Sequence, residues 1–258
     1  MADSDLLVHA YGLLPSGEPR VLPASGLEGS PVTVEPADDL AIVISQVSRD
    51  RFGAEQWRRH GEDPAWLGIV AREHHDVLQW LIGQGDVLPL RLPSMYGDLD
   101  SLRRTVTGRE AELHRALDRL HGCIEIAVKA YGVAVEEPAP AGRPASGRDY
   151  LLRRSAASKA REEARDRRHA SVDEIYEHLR TTSEAAVSNR PQDRALTGRP
   201  QPMLLNAAYL VKRDEAAAFM EVVDELIGRH RDEGIVLEAS GPWPPYNFAV
   251  APEMEPGR

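Results

Sequence analysis

Met203-Leu204-Leu205-Asn206-Ala207-Ala208-Tyr209-Leu210-Val211 is the stretch whose reading decides the fold. From Leu204 to Val211 it is apolar at both alternating sets of positions except Asn206, as expected of a strand covered on both faces. A polar turn, Lys212-Arg213-Asp214, follows. Phe219, Val222, Val223, Leu226 and Ile227 then recur at helical spacing, with Asp214 as the expected N-cap. Gly234 ends that helix and Ile235-Val236-Leu237 begins another strand. Strand, helix and strand joined by short connections form a split βαβ unit, so an α+β or α/β architecture is expected.

The block closes on Gly241-Pro242-Trp243-Pro244-Pro245-Tyr246-Asn247-Phe248. Three prolines within four residues fix φ and remove three backbone donors, which excludes a helix or a central strand. The segment reads as a stiff connector that sets the directions of Trp243 and Tyr246. Two readings stand side by side: a corner between strands with Trp243 in the core, or an aromatic surface for a partner.

Upstream, Leu6 to Leu14 and Leu40 to Ser45 read as strands, with Val21-Leu22 and Val32 to Val34 as shorter candidates. Asp63 followed by Pro64 is an N-cap with proline at the first helical turn. The helix it opens carries Trp66, Leu67, Val70, His74, Val77, Leu78 and Leu81 on one face, which leaves His74 at the core edge and His75 facing solvent. Val87 to Leu92 is a strand that Pro89 confines to an edge. Asp98 opens a helix whose stripe runs from Leu99 to Leu120, ending at Gly122. Cys123 to Val128 alternates as a strand, and Glu136 to Ser146 has loop composition.

Asp149 to about Val187 is helical but polar. Residues 148–168 hold eight basic and four acidic side chains, a net +4 inside a chain of net −10. This is the pattern of a solvated helix with i, i+4 pairs, or of a partner-binding face. Ser171 with Glu174 forms a capping-box pattern, so a break is expected near His169. Residues 189–202 are loop.

These readings place an N-terminal mixed α/β domain over residues 1–121. A C-terminal modified ferredoxin-like domain with a long polar helix follows over 122–251, with a frayed tail over 252–258. At 258 residues and 42% hydrophobic composition, two domains with real cores are affordable, built on Leu, Val, Ala and Ile because aromatics are only 5%.

Acidity disfavours a nucleic-acid partner. The single cysteine, Cys123, forms no internal disulfide and reads as a core residue. The acidic start lacks the pattern of a signal peptide, and no run is long enough to span a membrane. Phosphate-binding glycine loops and a Gly-x-Ser-x-Gly elbow are absent from the sequence. Adjacent His74 and His75 point about 100° apart on a helix and do not share one metal. No catalytic, cofactor or metal residue is therefore assigned. Asn206, an amide in an apolar strand, is expected to be pinned by a loop backbone such as the proline-rich corner.

Five stretches occur in the order seen in one family: Tyr11-Gly12-Leu13-Leu14-Pro15, Val87-Leu88-Pro89-Leu90-Arg91-Leu92, Gly147-Arg148-Asp149-Tyr150-Leu151, Asn206 to Val211, and Gly241 to Phe248. On them the chain resembles the GvpF/GvpL family of gas vesicle proteins. The resemblance implies two α+β domains and a cytoplasmic, non-enzymatic accessory or minor structural component of gas vesicles that acts in their assembly. It also implies the hydrophobic major shell protein and other accessory gas vesicle proteins as partners, with shell-protein aggregation limited by the contact. Candidate contacts are Trp243 and Tyr246 at the corner, and Arg148, Tyr150, Arg153 and Arg154 at the start of the long helix. The alternative is a small-molecule-binding or enzymatic protein on a ferredoxin-like scaffold, which needs a pocket with convergent polar groups such as Asn206 and His74.

Overall fold

The computed structural model describes residues 5–17, 20–133 and 146–249. The expected tail over 252–258, and most of the expected loop from Glu136, lie outside them. The chain divides into two compact units, one of residues 1–125 and 242–258, the other of residues 126–241.

The first unit is built on an antiparallel sheet of β1 (Leu6–Pro15), β2 (Val32–Ala37), β3 (Leu40–Ser48), β4 (Leu88–Pro89) and β5 (Met95–Tyr96). Its order is β2-β3-β1-β4, with β5 also paired to β1. The register of β1 on β3 shifts between Ala10 and Gly12, leaving Tyr11 as an extra residue in a bulge. Val21-Leu22, expected as a strand, is instead irregular. The Val21 backbone is held by side chains: its N–H donates to Gln84 Oε1 at 3.0 Å, and its carbonyl accepts from Trp80 Nε1 at 2.9 Å.

The helices of this unit are α1 (Arg49–Phe52), α2 (Ala54–His60), α3 (Pro64–Ile82), α4 (Leu99–Val106) and α5 (Glu110–Leu120). Asp63 caps α3 as the sequence predicts, its carboxylate accepting from Ala65 N at 2.9 Å. Val70, His74, Val77, Leu78 and Leu81 form its buried face. The single helix expected from Asp98 to Leu120 is two. Gly108 takes φ +90°, outside helical space, and its N–H donates to the Glu110 carboxylate at 2.9 and 2.8 Å, which restarts the chain as α5.

The second sheet comprises β6 (Cys123–Gly132), β7 (Ala185–Ser188), β8 (Met203–Lys212) and β9 (Ile235–Trp243) in the order β7-β8-β6-β9. With α6 (Gly147–Thr181) after β6 and α8 (Ala216–His230) after β8, this is the strand order of the ferredoxin-like βαββαβ plan. A short α7 (Arg194–Thr197) interrupts the loop before β8. The fold class is thus mixed α+β with two antiparallel sheets, as the sequence predicts.

Burial explains β8. Leu205 and the run from Ala207 to Val211 are all buried. Tyr209 lies between Tyr176 of α6 and Phe219 of α8, with ring centroids 6.1 and 5.5 Å away.

Four local expectations change. Helix α6 ends at Thr181, and Ala185–Ser188 leaves it to pair with β8. There is no break near His169, because Ser171 Oγ donates back to the Arg167 carbonyl at 3.1 Å inside the helix rather than capping a new one. Glu215, not Asp214, is the N-cap of α8 and makes no side-chain cap bond. The chain beyond the corner forms a turn, with Phe248 N and Ala249 N donating to the Pro245 carbonyl, and does not enter the second strand that a corner between strands requires.

Candidate partner-binding surfaces

The corner begins where β9, an edge strand, runs out at Trp243. An edge is where Pro242 can be accommodated, since its missing N–H removes no interior ladder bond. Residues from Pro242 onward belong to the first unit, and they are anchored there from three elements. From α3, Gln79 Nε2 donates to the Pro242 carbonyl at 2.9 Å and the His75 ring lies 5.2 Å from that of Trp243. His75 Nδ1 and Tyr246 Oη are 3.3 Å apart. Arg91 donates to the Tyr246 carbonyl at 3.3 Å.

The third anchor is Glu125 of β6. Its two oxygens accept from Asn247 N at 2.8 Å and Asn247 Nδ2 at 2.7 Å. Glu125 is 4% exposed, and burial raises its carboxyl above the ordinary range against the opposing pull of the Asn247 bonds. Burial, helped by the nearby Glu125 charge, likewise raises the Tyr246 phenol. Pro244 and Pro245 are buried, whereas Trp243, Tyr246, Asn247 and Phe248 are half-buried. Trp243 is therefore neither sunk in the core nor loose: one side rests on His75 and part of it meets solvent. His75, expected to face solvent, is half-covered by this corner.

The arm is the start of α6 in the second unit. Ser146 Oγ caps it by accepting from Asp149 N at 3.1 Å. Arg153 holds the Asp149 carboxylate with two nitrogens, each 3.1 Å from an oxygen. Arg148, Tyr150, Arg153 and Arg154 are all exposed, and so are Leu151 at 64% and Leu152 at 61%. The buried residues of α6 are Val172, Ile175 and Leu179, all in its last third. The corner and the arm belong to different units.

Asn206 and His74, named as possible polar groups of a pocket, belong to different units. Asn206 is half-exposed, its Nδ2 donating to the Arg190 carbonyl at 3.2 Å, so a loop backbone pins it, though not that of the corner. His74 is 3% exposed, deeper than the core edge. It belongs to a buried cluster that the sequence did not reveal. His9 and His74 meet at 2.9 Å between Nε2 and Nδ1, while His74 Nε2 donates to the Leu90 carbonyl at 3.0 Å. A carbonyl only accepts, so the His74 proton is on Nε2 and its Nδ1 accepts from His9. Tyr11 stacks on His74 with centroids 5.4 Å apart, and its hydroxyl donates to Ser45 Oγ and accepts from Leu27 N. Among the described residues no three His, Cys, Asp or Glu side chains come together as a metal site.

One α+β unit carries the clamped aromatic corner and the other the solvated helical arm. The family model described as gas vesicle synthesis protein GvpL/GvpF matches residues 7–250, and the chain belongs to that family. It is 38% identical over 250 residues to gas vesicle protein L of Streptomyces sp. strain CB03234, covering 95% of this chain and 90% of the relative. It is 25% identical to gas vesicle protein F of the same organism, covering 93% and 98%. The crystal structure of GvpF from Anabaena sp. PCC7120 matches with a TM-score of 0.68 at 17% identity, over 95% of this chain and 97% of that one. GvpF from Microcystis aeruginosa gives 0.67 at 18%, over 95% and 99%. These structures share the fold. The family membership read from the five motifs is borne out, and no described helix is long and apolar enough to cross a membrane.

Proposed function

We propose that this chain is a cytoplasmic accessory component of gas vesicle assembly that binds the hydrophobic major shell protein and limits its aggregation before it joins the wall. The observation that carries the reading is the corner. Trp243 and Tyr246 are held half-exposed by bonds from Gln79, His75, Arg91 and Glu125, so little side-chain entropy is lost when a partner covers them. Fixed aromatics with a polar tip are the side chains that most often anchor interfaces. Arg148, Tyr150, Arg153 and Arg154 form a second candidate contact for the shell protein or for other accessory gas vesicle proteins. Family membership supports the setting.

The test is co-purification of the shell protein with the full chain and with its Trp243→Ala/Tyr246→Ala variant, both shown to be folded by circular dichroism. The wild type is expected to retain shell protein and the variant to lose at least tenfold of it. Unchanged retention by the folded variant rejects the corner as the contact.

A further inference from the structure

The exposed large apolar side chains gather in two places. One is a flank of α3 in the first unit. Ile69 is 53% and Trp80 52% exposed there, with Val21 beside Trp80 at 67%. Trp80 is fixed in place: its indole donates to the Val21 carbonyl, which Gln84 Nε2 also holds at 2.8 Å. On an α-helix, residues seven and eleven positions apart return to within about 20° of one line. Ile69, Asp76 and Trp80 therefore lie along one line of α3, roughly 16 Å from end to end, with the carboxylate between the two apolar side chains. Arg72 borders the line on one side. Glu73 borders it on the other and accepts from Glu28 N at 3.0 Å. His75 and Gln79, which hold the corner, stand further round the helix.

The other place is the start of α6 in the second unit, where Leu151 and Leu152 are exposed. Arg148 precedes them by three and four residues, so the three form one patch with the guanidinium between two leucines. Asp149 occupies Arg153. Arg148 and, on α3, Asp76 are exposed and without an ion pair among the described residues. The two patches are complementary: apolar, cation, apolar on α6 and apolar, anion, apolar on α3. Both are carried by the same chain. We propose that the start of α6 of one copy docks on the Ile69–Trp80 flank of α3 in a second copy, with the leucines against Ile69 and Trp80 and Arg148 on Asp76. The apolar side chains supply the burial and the ion pair sets the register. Copies of net −10 repel one another, and the cation meeting an anion offsets that repulsion at the contact. The contact uses no residue of the corner and stands whether or not the corner binds the shell protein.

Sedimentation equilibrium of the purified full chain, without shell protein, tests it. A contact of this size is weak, with a dissociation constant on the order of 10–100 μM. The wild type is expected to rise above monomer mass over that range, and to associate about fivefold less well in about 0.5 M salt, where the ion pair is screened. Leu151→Glu/Leu152→Glu breaks the α6 patch and Ile69→Glu breaks the α3 patch. Each is expected to be monomeric with an unchanged circular dichroism spectrum. Mixed in equal amounts, they supply one intact patch each and are expected to form a one-to-one heterodimer. Arg148→Glu is expected to weaken association about fivefold, and adding Asp76→Arg in the same chain to restore it. A wild type that stays monomeric, a single-patch variant that associates like the wild type, a mixture that stays monomeric, or a charge swap that fails to restore association overturns the proposal.

Discussion

Glu125 accepts both the backbone N–H and the side-chain amide of Asn247, at 2.8 and 2.7 Å, across 122 residues of sequence. One buried carboxylate thereby ties the end of the described chain to β6 and fixes the turn that displays Tyr246. Replacing it by glutamine leaves one acceptor for two donors and turns an amide N–H₂ toward another donor. Leaving such a group unsatisfied typically costs about 1–3 kcal/mol. Glu125→Gln is expected to lower the urea unfolding midpoint accordingly and to weaken shell-protein retention without altering any exposed side chain. An unfolding midpoint equal to wild type would show that the clamp contributes nothing.

The His9–His74 pair makes the fold acid-sensitive. Burial pushes His74 down to about 4; burial and the neighbouring imidazole hold His9 well below the ordinary range. Both values are depressed relative to about 6.5 in the unfolded chain. The folded state therefore binds fewer protons. Its stability is constant above about pH 6.5 and falls as acid is added toward the folded value. For His74 alone, the loss between about pH 7.5 and pH 5 is about 2 kcal/mol, with His9 adding to it. Urea unfolding at the two pH values measures this, and His74→Gln is expected to flatten the dependence.

Periodic segments were legible in the sequence because their partners are satisfied by any apolar layer. The runs 203–212 and 64–82 needed only alternation, helical spacing and the Asp63 cap. What the sequence did not disclose depends on distant residues. Ala185–Ser188 has no strong strand pattern of its own and becomes β7 because β8 offers a ladder to it. Gly108 reads as a tolerable glycine within a helical stripe until the Glu110 carboxylate claims its N–H. His9 and His74 are 65 residues apart, and neither announces the other. The candidate surfaces were half-legible. The proline spacing marked a rigid corner and the charge run marked a solvated helix. That the corner is clamped by Glu125, and returns to the first unit, follows from contacts only the folded chain makes.

Gly12 lies at the bulge in β1, where the chain passes close to β4. A Cβ there would stand 2.8 Å from the Leu88 carbonyl oxygen, 3.0 Å from Val87 Cγ2 and 3.1 Å from Leu78 Cδ2. The nearest of these is backbone, so relief requires β1 and β4 to separate. Overpacking of this kind costs about 1–3 kcal/mol. Gly12→Ala is expected to fall in that range by chemical denaturation, whereas Gly17→Ala, at a turn with open space around it but φ +88°, tests backbone strain alone and is expected to cost about 1 kcal/mol.

The arm and the base of α6 are expected to differ sharply in local stability although they belong to one unbroken helix. Residues 147–170 bury no side chain, and their support comes from intrahelical pairs such as Arg153–Asp149 at 3.1 Å and Lys159–Glu163 at 3.8 Å. Exposed pairs of this kind contribute only about 0.3–0.5 kcal/mol each. From Val172 to Leu179 the helix is locked by burial against β8 and α8. Opening of the arm therefore needs no disruption of the core, while opening of the base amounts to unfolding the second unit. Amide hydrogen exchange, measured in about 0.5 M salt to suppress electrostatic association, is expected to show residues 150–166 exchanging orders of magnitude faster than residues 172–181 and 205–211. Equal protection along the whole helix would mean that the arm is covered by a contact that survives salt, and would refute its independence.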